Sequence, residues 1–273
     1  MNVIPQTVKL PSAFFHEIPD VRSAVTDEVL FGTRIVLCGE CDKKGWAYAE
    51  TSYHYKGYIK LNQLLETEET SETYDFYVVI SSFCDVLPAP EYRYQPVLTL
   101  PKGSIVKRKK YIPRQNGKFL EIELDGKTYY VPAINLTKHN FNTPRGMSLL
   151  RENIVYVAMS YLGTPYRWGG KTPSGIDCSG LCFMAYELCG VPLWRDAVFD
   201  ETYVCEIKKE ELKPADLIYY KGHMVLYIGK GSYIHSSATL GGVVISSFDR
   251  SKQDYYEVLD GTQLFYARAK IFC

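Results

Sequence analysis

The sequence lacks an excess of charge of either sign. Its 273 residues include 31 Lys and Arg and 31 Asp and Glu, so the formal net charge is zero. A dedicated nucleic-acid-binding protein needs a basic surface for the phosphate backbone, and this balance argues against one. The local basic run at residues 102–114 has no aromatic-stacking motif, and we interpret it as a solvated strand and loop.

Long apolar runs are also missing. No stretch approaches the roughly 20 apolar residues that a transmembrane helix needs. Residues 1–15 show no basic segment followed by an apolar core, as a signal peptide would. We therefore expect no membrane insertion. We expect a cytoplasmic protein if the given N-terminus is native, and a cell-envelope or secreted protein if a signal peptide has been removed.

Cysteine spacing suited to a metal site is lacking as well. The eight cysteines are irregularly spaced, which is not typical of a disulfide framework in so long a chain. Cys38 and Cys41 have the spacing of half a zinc site, and no second pair completes it. We interpret them as two thiols flanking a hairpin, and we expect no metal and no cofactor.

What the sequence does contain is many short β-rich segments separated by turns. They fill residues 1–72 and residues 73–140, and the acidic run at 66–72 predicts a linker between the two. The ending YYVPAINL of the second segment echoes GYIKLNQL of the first, each predicting a strand followed by a short helical turn. We interpret the two segments as two similar small β-barrels.

Residues 141–273 show a mixed α and β pattern. A helix is predicted over residues 148–163 and a second over 180–190, each stopped by its final glycine. The apolar residues of the first helix recur at helical spacing: Leu149, Ile154, Val157, Ala158 and Leu162. The segments DLIYY, HMVLYIG, SYIHSSA and GGVVISSF then predict strands of an antiparallel sheet, which gives an α+β domain.

Cys178 lies at the start of the second predicted helix, whereas Cys182 lies one turn inside it and Cys189 near its end. Backbone N–H groups in a first turn are unpaired and the helix dipole is positive there. Such a place stabilises a thiolate and lowers its pKa. Position therefore distinguishes Cys178 as the candidate nucleophile.

A cysteine nucleophile needs a base, and the base needs an orienting partner. Two of the five histidines, His223 and His235, lie in one predicted strand pair. If the turn centres on residues 229–231, Val225 faces His235, and His223 becomes a diagonal neighbour of His235 on the same face. Together with Cys178 this pattern favours a catalytic Cys–His–polar arrangement over three inert buried side chains.

The motifs YLGTPYRWGGKTPSGIDCSGL, PADLIYY, HMVLYIG and YIHSS resemble the NlpC-type family of papain-like cell-wall peptidases, over residues 148–270. The β-rich segments resemble bacterial SH3 domains. This order is similar to the YkfC kind of γ-D-glutamyl-L-diamino acid endopeptidase, which acts on murein peptides. The resemblance implies two N-terminal SH3-like β-barrels, residues 1–72 and 73–140, followed by an α+β papain-like cysteine peptidase domain, residues 141–273.

The resemblance also implies catalytic roles. Cys178 would attack the carbonyl carbon, and His223 would act as general base and then as the acid that protonates the leaving amine. His235 would hold His223 in its productive tautomer. Tyr166 matches a tyrosine beside the nucleophile that could help to stabilise the oxyanion; a packed aromatic is the equally good alternative.

Substrate contacts are implied next to the nucleophile and in the first barrel. Asp177 would bind the free α-amine of an N-terminal L-Ala, because a buried ammonium needs a carboxylate partner; its alternative is a helix cap. The other implied contacts are Ser179, Tyr55, Asp196, Ala197 and Asp20, with Tyr58 as an alternative to Tyr55. Two departures from the family pattern are Ala215, in place of a usual glycine, and Asp200, in place of a frequent glutamine.

We therefore predict a cysteine endopeptidase that hydrolyses the γ-D-glutamyl-L-diamino acid bond of murein peptides with a free N-terminal L-Ala, in cell-wall peptide recycling or turnover. Two alternatives stay open: a peptidase or amidase acting on intact polymeric peptidoglycan, and a non-catalytic cell-wall-binding protein. The expected partners are murein peptides, with no nucleic acid, and the chain is expected to be a monomer.

Overall fold

The computed structural model describes residues 5–40, 43–66, 73–110, 117–124, 126–139 and 146–273. Two compact units make up the chain, residues 1–140 and residues 141–273. Cys41 and most of the predicted linker lie outside the described residues, and Cys38 is exposed. No helix within the described ranges is both long enough and apolar enough to cross a membrane.

The first half of the first unit is one antiparallel sheet. Its strands are β1 Gln6–Val8, β2 Ser12–His16, β3 Val25–Leu30, β4 Arg34–Glu40, β5 Trp46–Thr51, β6 Lys56–Lys60 and β7 Leu64–Glu66. They hydrogen-bond in the order β3–β2–β6–β5–β4–β1–β7. Alternating residues of β5 and β6 point to a buried face that includes Ala47, Ala49 and Ile59, as the period of a half-buried strand requires.

The second half of the first unit contains three smaller sheets. Its strands are β8 Tyr74–Val79, β9 Phe83–Val86, β10 Leu98–Pro101, β11 Ile105–Lys109, β12 Phe119–Leu124, β13 Lys127–Pro132 and β14 Leu136–Lys138. The sheets are β10–β9, β11–β8–β14 and β12–β13, around one shared core that includes Val79, Leu100 and Val131. No sheet in the described residues closes on itself. The strand-rich character is confirmed, and the assignment to SH3-like barrels stays a prediction.

The two halves end alike and touch each other. A single 3-10 turn follows β6 at Leu61–Gln63 and another follows β13 at Ala133–Asn135, as the echoed sequences predicted. Between the halves, the Ile105 N–H donates to the Phe31 carbonyl at 2.8 Å. A Cβ at Gly32 would overlap the carbonyl oxygen of Ile105, so this backbone approach requires glycine.

The second unit is a six-stranded antiparallel sheet covered by two helices, which confirms the α+β prediction. The helices are α1 Met147–Met159 and α2 Cys178–Glu187; the strands are β15 Lys171–Thr172, β16 Gly175–Ile176, β17 Val204–Ile207, β18 Leu217–Tyr220, β19 His223–Gly229, β20 Ser232–Ser237, β21 Gly242–Ser247 and β22 Phe265–Ala269. The large sheet has the order β17–β22–β18–β19–β20–β21, and β15 pairs with β16. Helix α2 packs on β19 and β20, and α1 packs on α2.

Two helix details differ from the sequence prediction. The buried residues of α1 are Leu150, Ile154 and Ala158, one row at a spacing of four, whereas Leu149 and Leu162 are exposed. The helix ends at Met159, and tighter turns continue to residue 163. Helix α2 is buried along residues 178–186, so it has no single apolar face, because it lies between the sheet and α1.

One disulfide joins Cys205 of β17 to the final residue, Cys273, with Cα atoms 6.8 Å apart. The irregular cysteine spacing gave no sign of it, because the two residues are 68 positions apart and meet only through the pairing of β17 with β22. Cys38, Cys84, Cys178, Cys182 and Cys189 are free thiols.

Candidate active site

Cys178 is the first residue of α2, as predicted. Asp177 is the N-cap: its backbone is extended and its carboxylate accepts the N–H of Gly180 at 2.5 Å. The β15–β16 hairpin leads directly into this cap, and a Cβ at Gly180 would overlap the carbonyl oxygen of Gly170. Local sequence thus places the sulfur at a helix N-terminus, against the hairpin that precedes it.

The two histidines meet on neighbouring strands. Leu226 faces Ile234, which puts His223 of β19 and His235 of β20 diagonally on one face, as the turn prediction required. Nε2 of His223 is 3.0 Å from Nδ1 of His235. Nε2 of His235 is in turn 3.1 Å from the hydroxyl of Ser246 on β21, a contact that the sequence did not reveal.

The sulfur of Cys178 lies against the backbone N–H groups of Met224 and Ser179. Met224 directly follows His223, so the start of α2 and the start of β19 converge at the nucleophile. Tyr166 is held alongside, because it bridges to Ile176, two residues before Cys178. Burial, with the neighbouring Cys178 and Asp177, raises the pKa of Tyr166 to about 12. Its hydroxyl therefore keeps its proton at neutral pH and is able to donate a hydrogen bond.

Burial dominates the protonation of the site. It raises the pKa of Cys178 to about 11, and the charge of Asp177 adds to that rise, while the two backbone N–H groups act in the opposite direction. Burial also lowers the pKa of His223 to about 4, and burial with the neighbouring His223 lowers that of His235 to about 3. The predicted lowering of the Cys178 pKa is therefore wrong for the site without substrate, because desolvation of a thiolate outweighs the helix N-terminus. At neutral pH the thiol and both imidazoles are uncharged.

Arg195 is the residue that sequence reasoning missed. It is 1% exposed, and its guanidinium donates two parallel hydrogen bonds to the Asp177 carboxylate, at 3.1 and 3.0 Å. The same guanidinium donates to the Ser179 hydroxyl at 2.9 Å and to the Gly170 carbonyl at 3.4 Å. The family resemblance had favoured its neighbour Asp196 in this turn.

A signal for Arg195 was present. Val191, Leu193 and Arg195 alternate as buried residues along an irregular segment. An arginine at the third such position needs a buried carboxylate.

This pairing changes the account of Asp177. Its carboxylate accepts from Gly169, Ser179, Gly180 and Arg195, so it is both a helix cap and one half of a buried ion pair. A substrate without a free amine would therefore not leave Asp177 unpaired, because Arg195 already compensates its charge.

The remaining predicted substrate contacts are divided between the two units. Asp196 and Ala197 are half-buried and follow Arg195 in the second unit. In the first unit the Tyr55 hydroxyl donates to the Thr26 carbonyl at 3.3 Å. Asp20 is engaged by Arg22 and Lys43, each at 3.4 Å, and hydrogen bonds from Arg22 hold the pKa of Asp20 well below its usual range. The roles of these residues toward substrate stay predictions.

Several known proteins are similar to this chain in sequence and in fold. Residues 163–259 match the NlpC/P60 family. The dipeptidyl-peptidase 6 of Lysinibacillus sphaericus is 34% identical over 253 residues, which cover 89% of this chain and 92% of that protein. The chain belongs to the NlpC/P60 family. It is a cysteine peptidase of the cell-wall type.

Two further similarities are to proteins from Bacillus cereus. The γ-D-glutamyl-L-lysine dipeptidyl-peptidase of Bacillus cereus is 33% identical over 93 residues, covering 31% of this chain and 28% of that protein. A crystal structure of an NlpC/P60 family protein from Bacillus cereus superimposes with a TM-score of 0.77 at 18% identity, covering 97% of this chain and 99% of that one. The second similarity shows a shared fold that extends through the strand-rich first unit.

Proposed function

We propose that this peptidase hydrolyses the γ-D-glutamyl-L-diamino acid bond of murein peptides that begin with a free L-Ala, in the recycling or turnover of cell-wall peptides. The observation that carries the chemistry is the hydrogen bond between His223 and His235. His223 begins β19, and the backbone N–H of the next residue, Met224, contacts the Cys178 sulfur. The substrate is supported by the similarity to a dipeptidyl-peptidase over nearly the whole chain. An enzyme that releases dipeptides must recognise a free N-terminus, and L-Ala-γ-D-Glu is such a dipeptide.

In this proposal His223 takes the thiol proton as the Cys178 sulfur attacks the γ-carbonyl carbon. The proton moves during attack and not before it, because the thiol pKa lies near 11 and that of His223 near 4. The oxyanion would face the backbone N–H of Cys178 and the Tyr166 hydroxyl. His223 then gives its proton to the leaving amine of the diamino acid, which leaves L-Ala-γ-D-Glu as a thioester on Cys178.

Water completes the cycle. His223, again neutral, removes a proton from the water as it attacks the thioester carbonyl, and the thiolate leaves and recovers the proton. Hydrolysis therefore needs only groups of this chain and water, with His235 keeping His223 oriented.

Recognition of the free amine would be shared. Asp177 can accept a hydrogen bond from the ammonium only alongside Arg195, so the pair as a whole brings little net charge to it. Additional acceptors are required, and we propose Asp196, with Ser179 and Ala197 as further contacts in the second unit. Tyr55, of an SH3-like first barrel, and Asp20 stay proposed substrate contacts of the first unit. An N-acylated peptide would lose these hydrogen bonds and crowd the same space.

Defined peptides test the proposal. L-Ala-γ-D-Glu-L-Lys and its meso-diaminopimelate counterpart, each free and N-acetylated, are incubated with the protein and with Cys178→Ala, and products are followed by mass spectrometry. We expect L-Ala-γ-D-Glu from the free peptides, at least about 100-fold less from the acetylated ones, and none with Cys178→Ala. Equal rates on free and acetylated peptides, or efficient cleavage of intact peptidoglycan, would refute the free-amine proposal.

A further inference from the structure

A polar chain crosses three neighbouring strands behind the candidate nucleophile. It runs from His223 on β19 through His235 on β20 to Ser246 on β21, with contacts of 3.0 and 3.1 Å. His235 is fully buried and Ser246 is 3% exposed. In the described structure, the hydrogen-bond partners of the His235 ring are His223 on one side and Ser246 on the other.

The direction of these hydrogen bonds decides whether His223 is able to act as a base. Its Nε2 is occupied by His235, which leaves Nδ1 as the ring nitrogen for an incoming proton. For Nδ1 to hold a free lone pair, the neutral ring must carry its proton on Nε2 and donate it to Nδ1 of His235. That nitrogen must then be unprotonated, so His235 carries its own proton on Nε2.

The proton on Nε2 of His235 points at the hydroxyl of Ser246, which must accept it. If both bonds ran the other way, Ser246 would donate, His235 would donate to His223, and Nδ1 of His223 would already be protonated. Such a ring cannot take a proton from a thiol. The tautomers of the two imidazoles are therefore coupled. Whether the Ser246 hydroxyl accepts or donates its hydrogen bond to His235 determines both of them.

Rings around His235 leave little room for a different arrangement. Tyr233 lies with its ring centroid 5.3 Å from that of His235, and Tyr256 at 5.7 Å. Ser246 is the direct cross-strand partner of Tyr233, so its backbone position is fixed by the β20–β21 register. A buried imidazole N–H without an acceptor is costly, and Ser246 supplies that acceptor.

We propose that Ser246 is a positioning residue of the reaction: by accepting the Nε2 proton of His235 it fixes the tautomers of both histidines and keeps Nδ1 of His223 available as the base. The proposal rests on the proposed catalytic roles of His223 and Cys178. It adds a fourth member, on a third strand, to the Cys178–His223–His235 set.

The test compares three serine variants. Ser246→Ala removes the acceptor, and we expect kcat to fall roughly 10- to 100-fold with KM unchanged. Ser246→Thr keeps a hydroxyl and is expected to retain most of the activity. Ser247→Ala is the matched control, because this adjacent buried serine points to the other face and its hydroxyl reaches the Gly231 carbonyl. We expect it to leave kcat unchanged.

Imidazole nitrogen NMR gives a readout that needs no substrate. In the reduced wild-type protein, we expect both histidines as the Nε2-protonated tautomer, and in Ser246→Ala a mixture of tautomers. Wild-type tautomers together with an unchanged kcat in Ser246→Ala would overturn the proposal. So would equal kcat losses in Ser246→Ala and Ser247→Ala. If the wild-type protein cleaves no murein peptide, the proposed function fails, while the NMR comparison still decides the role of Ser246.

Discussion

In the described part of the second unit, two buried aspartates, Asp177 and Asp216, are held by arginines in different regions of the domain. Asp177 precedes Cys178, caps α2 and, among the described residues, pairs with one arginine, Arg195. Asp216 is fully buried in the turn before β18 and pairs with Arg151 of α1 at 2.7 Å and with Arg268 of β22 at 2.9 Å. One network supports the chemistry, whereas the other joins a helix, a turn and a strand of the scaffold.

The difference lies in what remains when one arginine is lost. Asp177 would keep only backbone and hydroxyl donors, and its charge would be uncompensated beside the sulfur. Asp216 would keep a second guanidinium and the Lys213 N–H. A buried charge without a partner is far more costly than a partly weakened pair. The two Asp–Arg networks therefore differ in how much stability the loss of one arginine would cost: more at Asp177, beside Cys178, and less at Asp216, in the scaffold.

The largest expected effect comes from Arg195→Met. We expect about 3–5 kcal/mol lower free energy of unfolding and a large fall in kcat, because the cap that places Cys178 loses its partner. Denaturant unfolding and peptide-cleavage kinetics measure the two effects. Arg195→Lys is the companion variant: it restores the charge without the two parallel contacts, so we expect only partial recovery of both quantities.

Arg268→Met is the counterpart in the Asp216 network. We expect about 1–3 kcal/mol lower free energy of unfolding and an unchanged kcat for the folded protein, because Arg151 still compensates the carboxylate. A fall in kcat as large as that of Arg195→Met would show that the two networks are not functionally separate.

Acid pH should lower stability through the two histidines of the candidate site. His223 and His235 have folded-state pKa values of about 4 and about 3, below the unfolded value of about 6.5. Between these values the unfolded chain binds more protons, so the free energy of unfolding falls as the pH drops below about 6.5. We expect His223→Gln with His235→Asn to flatten this slope.

If neutral His223 acts as the base, as proposed, alkylation of Cys178 by iodoacetamide should persist below pH 6.5. An alkylation rate that already falls by half at pH 6.5 would contradict the lowered His223 pKa.

The smallest expected effect is a gain in stability. Ala215, next to Asp216, has a left-handed backbone with φ of 71°. This conformation costs a residue with a Cβ more than it costs glycine. We expect Ala215→Gly to raise the free energy of unfolding by about 0.5–1 kcal/mol with kcat unchanged. Ala158→Gly in α1, where the backbone is helical, should lower it; a loss in both variants would show that Ala215 is not strained.

Sequence patterns predicted the parts of the site that depend on local order. The helix start at Cys178 followed from the helical segment after it, and the meeting of His223 with His235 followed from one turn. Arg195 escaped because it lies in an irregular segment whose path back to Asp177 follows no periodic pattern. Ser246 escaped because its contact depends on the register of β21 against β20. The pKa of Cys178 was predicted with the wrong sign, since burial depends on how α2 packs and not on its first turn. In the first unit, strands and turns were readable, whereas their assembly into sheets depends on long-range pairing.

Reducing agents should have two opposing effects, one on the disulfide between Cys205 and Cys273 and one on the free thiol of Cys178. A bond that closes a loop of this length contributes roughly 2–4 kcal/mol to stability, and its Cys273 end is exposed. Cys178 must remain a thiol to react. Mild reductant therefore protects the nucleophile, while strong reductant also releases β17 from the C-terminus, so activity should pass through an optimum of redox potential instead of rising to a plateau.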